Sequence, residues 1–150
     1  NNIKKLIPIK TKISGLFKGS TQMKELTPGG SMSIATTLDM SLGKSDALSG
    51  NLVSLVGKLP IPIEKISIRY SLFSKVFGTA NQIAVDKIKK GELLMLSINT
   101  SITGGTVDFA NEKELKLTLK VPAITFKNDS VGIARNIQSH WRLIGFGEVC

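Results

Sequence analysis

The sequence lacks most of the residues on which catalysis and metal binding depend. It contains one histidine, His140, and one cysteine, Cys150. A Ser-His-Asp or Cys-His arrangement would have to use His140, and zinc sites usually need three or four histidine or cysteine ligands. We therefore expect no catalytic residue, no metal, no cofactor and no small-molecule substrate, which means that the chain is not an enzyme.

Long apolar runs and phosphate-binding loops are also missing. No apolar stretch approaches the roughly 20 residues that a membrane-spanning helix needs, so no membrane span is expected. Neither Gly29-Gly30 nor Gly104-Gly105 lies in a GxGxxG or GxxxxGK pattern. Aromatic residues make up only 5% of the chain, so a core would consist mainly of leucine, isoleucine and valine.

Positive charge is abundant and unevenly placed. The net charge is +9, and residues 1–30 hold six lysines against a single glutamate. We interpret 1–30 as a basic arm and loop, in which Lys4, Lys5, Lys10 and Lys12 would contact nucleic acid or neighbouring subunits. A Lys-rich surface that only improves solubility is the alternative, because lysines neutralise phosphates without reading a base sequence.

Two long stretches alternate between apolar and polar residues, which predicts strands with one buried face. The first runs from Met32 to Leu42, in a predicted strand over 31–42, and the second from Leu94 to Ile102, in a predicted strand over 92–103. Further predicted strands cover 47–56, 63–73, 114–126 and 140–149, with an arm or edge strand at 3–13 and a loop at 15–30. Residues 74–90 fit a short helix or an irregular crossing loop.

This pattern gives seven or eight irregularly spaced strands and at most one or two short helices. Few of the links are as short as a hairpin turn, so an all-β antiparallel sandwich with long crossovers fits better than a meander or a βαβ fold. At 150 residues the chain is predicted to be a single domain over 1–150. Within the last strand, Trp141 and Leu143 are predicted to pack inward, and Ile144 is a further candidate.

One loop-like segment is unusually apolar. Phe73 ends the predicted strand over 63–73, and Val76 and Phe77 follow it in a link between strands, where polar residues are more common. They are candidates for a subunit interface, and packing over one end of the sandwich is the alternative.

The segment from Gly30 to Leu42, followed by 48–56, resembles the paired strands of a viral jelly roll. The strand 91–102, the Gly104-Gly105 loop and the strand 115–126 are similar to its closing strands. In these segments the chain resembles the coat (capsid) proteins of picorna-like plant viruses, of the comovirus, nepovirus and cheravirus type. The resemblance implies a jelly-roll sandwich, and cleavage from a polyprotein would account for the missing initiating methionine.

The resemblance further implies a structural capsid subunit of a small icosahedral plant RNA virus, located in the virion and the host cytoplasm. Its partners would be other coat subunits and, nonspecifically, the genomic RNA. Two alternatives remain open: a viral movement or matrix-type protein that binds nucleic acid or membranes, and a cellular β-sandwich interaction module.

Overall fold

All but one of the regular elements in the part of the chain that the structure describes are β-strands, and their pairings are antiparallel, which confirms the all-β prediction. A computed structural model describes residues 6–77 and 83–150. These residues form nine strands and one short 3₁₀ helix. They are β1 (Ile13–Lys18), β2 (Thr21–Met23), β3 (Ser33–Thr36), the helix (Met40–Asp46), β4 (Ile63–Leu72), β5 (Leu93–Ile98), β6 (Ser101–Ala110), β7 (Glu114–Ala123), β8 (Ser130–Ile137) and β9 (His140–Val149).

The chain divides into two compact units. The small unit is Ile7–Ser49, and the barrel unit contains Gly50–Cys150. The prediction of a single domain over 1–150 stays a prediction. In the part of the chain that the structure describes, no helix is long and apolar enough to cross a membrane.

Six strands of the barrel unit close into a barrel in the order β4-β7-β6-β5-β8-β9. The closing pair is β9 with β4, in a register from Ile68 opposite Val149 to Leu72 opposite Gly145. The predicted jelly-roll sandwich is therefore wrong. One sheet curls until its first and last strands pair, so there are no two packed sheets, and each barrel strand has a hydrogen-bonded neighbour on both sides.

The core is the filled interior of this barrel. Its members are aliphatic residues that alternate along each strand with outward-facing ones. The most deeply buried of them are Ile68, Leu94, Leu96, Ile98, Val107, Leu115, Leu117, Val131, Ile133 and Ile144. The expectation of a core made of leucine, isoleucine and valine fits this list, which contains no aromatic residue.

A β-bulge in β9 decides which of its side chains face outward. The register with β8 shifts between Ile133 and Ala134, which adds one residue to β9 and changes its phase. Ile144 is consequently buried, whereas Trp141 and Leu143 are exposed. The prediction that Trp141 and Leu143 pack inward is wrong, because regular alternation does not continue through a bulge.

Two glycines of β9 face inward where no side chain fits. A Cβ atom on Gly145 would collide with the backbone oxygen of Ser71, and one on Gly147 with that of Arg69. Both obstacles are backbone atoms of β4, which cannot rotate away as a side chain could. The closing contact between β9 and β4 therefore depends on glycine at these two positions.

The small unit contains a three-stranded sheet in the order β2-β1-β3. Strands β1 and β2 lie where a loop over 15–30 was predicted. The predicted strand over 31–42 is reduced to β3, because the chain turns at Asp39. The Asp39 carboxylate caps the 3₁₀ helix by accepting a hydrogen bond of 2.8 Å from the Ser41 amide, a geometry that competes with strand pairing.

Three more differences concern strand positions. Residues 47–56 form no strand, and the predicted strand over 92–103 is divided by a turn at Asn99, whose φ is +52°. Gly104 and Gly105 lie inside β6 and not in a turn. Of 74–90, residues 78–82 lie outside the described residues, and the rest includes an isolated bridge between Lys75 and Ala84.

Candidate interaction surface

The two residues most suited to nucleophilic catalysis lie at opposite ends of β9. His140 begins the strand and Cys150 follows its last residue, a separation of about 30 Å at the usual rise per residue. The His140 ring nitrogen Nδ1 lies 2.9 Å from the carbonyl oxygen of Gln138. Among the described residues, no group of three histidine, cysteine or acidic side chains could hold a metal ion.

Three phenylalanines form an aromatic cluster on the outside of the barrel unit. The rings of Phe73 and Phe77 meet edge to face at 5.0 Å between centroids, and those of Phe73 and Phe146 lie 5.8 Å apart. Phe77 and Phe146 are 62% and 57% exposed. We call Phe73, Phe77 and Phe146 the phenylalanine cluster.

The polypeptide backbone fixes this cluster in place. The Phe73 amide donates a hydrogen bond of 2.9 Å to the carbonyl oxygen of Ile144, and Phe146 lies opposite Ser71 in the β4–β9 register. Val76, which the sequence grouped with Phe73 and Phe77, is buried in the core. The prediction that these three residues form a subunit interface stays a prediction.

Phe146 was not among the predicted site residues, although the sequence contains a pattern that indicates its outward orientation. It lies between Gly145 and Gly147. Where two glycines at alternate positions allow the close approach of a neighbouring strand, the residue between them points the other way. A phenylalanine in that position is therefore expected on the outer face.

A row of cations lies beside the phenylalanine cluster on β4 and β7. Lys65 and Arg69 are on the outer face of β4, and Lys116 is paired with Ser67 of β4. Arg69 lies 3.5 Å from Glu148, and Lys116 lies 3.2 Å from Glu114, both in exposed ion pairs. Lys65 has no ion pair with any residue that the structure describes. We call Lys65, Arg69 and Lys116 the cation row.

A more protected ion pair holds the loop before β5. The Arg135 guanidinium contacts both carboxylate oxygens of Glu92 and donates to the carbonyl oxygens of Asp86 at 2.9 Å and Lys87 at 3.3 Å. Glu92 also accepts a hydrogen bond from the Lys89 amide. The two side chains are only 15% and 21% exposed, so this pair is a structural clamp rather than a surface contact.

An open cleft of about 420 Å³ lies at the same end of the barrel, and its lining includes Tyr70, Leu72, Lys87, Ile88 and Glu112. The Tyr70 hydroxyl donates to the carbonyl oxygen of Asn111 at 2.6 Å. Partial burial, followed by the negative charge of Glu112, raises the pKa of Tyr70. Two of the lining side chains, Lys87 and Glu112, form an exposed ion pair of 3.8 Å between Nζ and Oε1.

The lysines of the predicted arm are placed only in part. Lys10 and Lys12 are exposed, whereas Lys4 and Lys5 lie outside the described residues. The prediction that these four lysines contact nucleic acid or neighbouring subunits stays a prediction.

Comparison with known proteins identifies the family of this chain. The family model for the C-terminal part of initiation factor eIF2 gamma matches residues 64–149. This range coincides with the barrel, from β4 to the end of β9. The chain belongs to the eIF2 gamma C-terminal family.

Sequence similarity to translation initiation factor 2 gamma subunits extends over almost the whole chain. Translation initiation factor 2 subunit gamma of Methanococcus vannielii is 42% identical over 146 residues, which is 97% of this chain and 36% of that protein. The gamma subunits of Methanocaldococcus jannaschii and Aeropyrum pernix are 42% and 40% identical, over 95% and 94% of the chain. The chain spans only 34% of each of these two, so it corresponds to about a third of such a subunit.

Membership of the eIF2 gamma family overturns the viral interpretation. The resemblance to plant-virus coat proteins is wrong, as are the capsid function, the coat-subunit and genomic-RNA partners and the location in a virion and host cytoplasm. Part of the resemblance depended on 30–42 and 48–56, where the structure has one four-residue strand and no second strand. The alternation of apolar residues in these two segments predicts a pair of strands that does not form.

Proposed function

We propose that this chain acts in the initiation of translation, as the C-terminal part of a gamma subunit of initiation factor 2. The observation that carries this proposal is the family match over residues 64–149. It begins one residue after the start of β4 and ends at the last residue of β9, so the similarity covers a complete closed barrel rather than a fragment of one. Identities of 40 to 42% to archaeal gamma subunits over nearly the whole chain support it.

Within such a factor, we propose that this part has no catalytic role and provides binding surface. The separation of His140 from Cys150 supports this, since neither has a catalytic partner among the described residues. Exposed aromatic and cationic side chains on a rigid barrel suit contacts with other macromolecules. Because the relatives are named as subunits, we propose that other subunits of the same factor are among those partners.

The proposed role in initiation is tested with a chimeric gamma subunit. The segment of the Methanocaldococcus jannaschii gamma subunit that aligns with this chain is replaced by residues 1–150, and the chimera is mixed with the other purified subunits of that factor. We expect it to co-elute with them and to support initiation in an archaeal translation extract depleted of the native gamma subunit. A folded chimera that assembles with no subunit and restores no initiation would contradict the proposal.

A matched control separates folding from function. Leu96 is fully buried, so a Leu96→Asp chimera should lose the barrel and with it any activity that depends on it. If the Leu96→Asp chimera restores initiation as well as the unaltered one, the barrel contributes nothing to that activity.

A further inference from the structure

The phenylalanine cluster leaves apolar surface in water at a place where the fold does not require it. Phe77 and Phe146 are more than half exposed, yet their rings are held against Phe73 at fixed angles. Single exposed apolar residues are common, but an ordered group of aromatic side chains is typical of a binding surface. Little side-chain freedom would be lost when a partner covers rings that already pack against one another.

The cation row begins directly beside this cluster. Arg69 is two residues before Ser71 on β4, and Ser71 is the residue paired with Phe146. Residues two apart on a strand share a face and lie about 7 Å from each other. Lys116 and Lys65 continue the row away from the cluster, on β7 and β4.

The charges of the row are available to a partner. The Arg69–Glu148 and Lys116–Glu114 pairs are exposed ion pairs. Such pairs contribute little to stability, so carboxylates of a partner can readily replace Glu148 and Glu114. Lys65 has no ion pair with the described residues. The surface therefore combines an apolar end with a positively charged end, on two neighbouring pairs of strands.

We propose that this surface binds an acidic polypeptide segment that carries large apolar anchor residues. The anchors pack on Phe77 and Phe146, and carboxylates of the segment pair with Lys65, Arg69 and Lys116. Charge complementarity determines this choice. A second copy of the chain would bring another net charge of +9. The rings of Phe73 and Phe77 meet edge to face, so they do not form the series of stacking platforms on which successive RNA bases lie.

The test is a selection from a random 12-residue peptide library displayed on phage, with the full chain as bait. We expect the enriched peptides to have a negative net charge and at least two leucine, phenylalanine or tryptophan residues. We expect the affinity of a synthesised winner to fall at least about tenfold for the Phe77→Ser, Phe146→Ser double variant. Enrichment of basic or uncharged peptides, or unchanged affinity of the double variant, would overturn the proposal.

Ile102→Ser is the matched control for this double variant. Ile102 is 68% exposed on β6, and β5 and β8 separate that strand from β9. It should leave the affinity within about twofold of the original, since surface substitutions outside a contact have small effects. An equal loss for Ile102→Ser would show a general effect of exposed apolar surface, which contradicts a localised site.

The charge component is tested separately with Lys65→Gln and Arg69→Gln. We expect each to weaken the peptide about threefold to tenfold and to reduce the dependence of affinity on salt. Lys90→Gln, at an exposed lysine in the turn before β5, is the control and should change neither, because two strands separate β5 from β4 on either side of the barrel. An RNA oligonucleotide of 12 uridines is the competing ligand. If it displaces the peptide, and if Phe146→Ser weakens its binding as much as that of the peptide, the surface favours RNA over a polypeptide.

Discussion

Two stretches of this chain have nearly the same alternating pattern, yet only one of them buries its apolar side chains. In β5, Leu94, Leu96 and Ile98 are at most 1% exposed. In the earlier stretch, Ile34 of β3 is 50% exposed, and Met40 in the helix after β3 is 91% exposed. Strand β5 has a hydrogen-bonded neighbour on each side and faces the barrel interior. Strand β3 has a neighbour on one side only, in a sheet of three strands.

The difference shows that alternation marks a face able to be buried, and that closure of a sheet decides whether it is buried. None of residues 7–49, all of which the structure describes, is buried. The small unit has 43 residues, a size at which a chain encloses little core by itself. The buried core lies entirely in the barrel unit.

The sharpest way to test this comparison is to remove a side chain from the buried stretch. We expect Leu96→Ala to lower the free energy of unfolding by about 2 to 5 kcal/mol, because it loses buried apolar area and leaves a cavity. Urea unfolding followed by the fluorescence of Trp141, the single tryptophan, would measure this. Leu93→Ala, on the same strand but exposed, should cost less than about 1 kcal/mol.

A smaller effect is expected from the clamp at the mouth of the barrel. Arg135→Met should cost about 2 to 4 kcal/mol, since it leaves the Glu92 carboxylate poorly solvated and removes the hydrogen bonds that hold 86–92. Arg69→Met breaks an exposed pair and should cost at most about 0.5 kcal/mol. Thermal or urea unfolding of the two variants checks the order, and equal losses would contradict the distinction between a clamp and a surface pair.

Tyr70 offers a still smaller and pH-dependent test. Tyr70→Phe should cost about 1 kcal/mol at neutral pH, because the carbonyl oxygen of Asn111 loses its hydrogen bond. The folded state raises the pKa of Tyr70, so it favours the neutral phenol. That contribution is complete below the unfolded pKa near 10 and is lost as pH rises through the folded value. Unfolding curves should therefore show that the free energies of unfolding of the original protein and of Tyr70→Phe differ less above pH 10 than at neutral pH. A difference that grows above pH 10 would contradict the expected direction.

The sequence predicts the barrel strands better than the way they assemble. Strands β4, β7 and β9 lie within two or three residues of their predicted limits because alternating aliphatic residues run through each. Strand β8 was missed, since Gly132 and Ala134 occupy its outer face and Arg135 interrupts its inner face. Closure was not predictable because it depends on small features with no periodicity, such as the bulge at Ile144 and the glycines that let β9 approach β4.

The sequence likewise indicates some residues of the candidate surface and not others. Phe73 and Phe77 stand out in the sequence as apolar residues in a link between strands, and they do lie together. Their third partner, Phe146, is 69 positions beyond Phe77 in the printed sequence, and only the pairing of β9 with β4 brings it to them. The cation row has no sequence signature either, because its members become neighbours through the register of β4 and β7.

The smallest effect is expected in the exposed stretch. Met40→Ala removes a side chain that is 91% exposed, at the first residue of a helix that Asp39 caps through Ser41. Because no buried contact is lost, local stability should change by no more than about 0.5 kcal/mol. Hydrogen exchange at the Leu42 amide, which donates to the Asp39 carbonyl oxygen at 3.1 Å, reports on this turn directly. A loss comparable to that of Leu96→Ala would mean that the apolar residues of 32–42 are packed against something in solution, and the contrast between the two stretches would no longer hold.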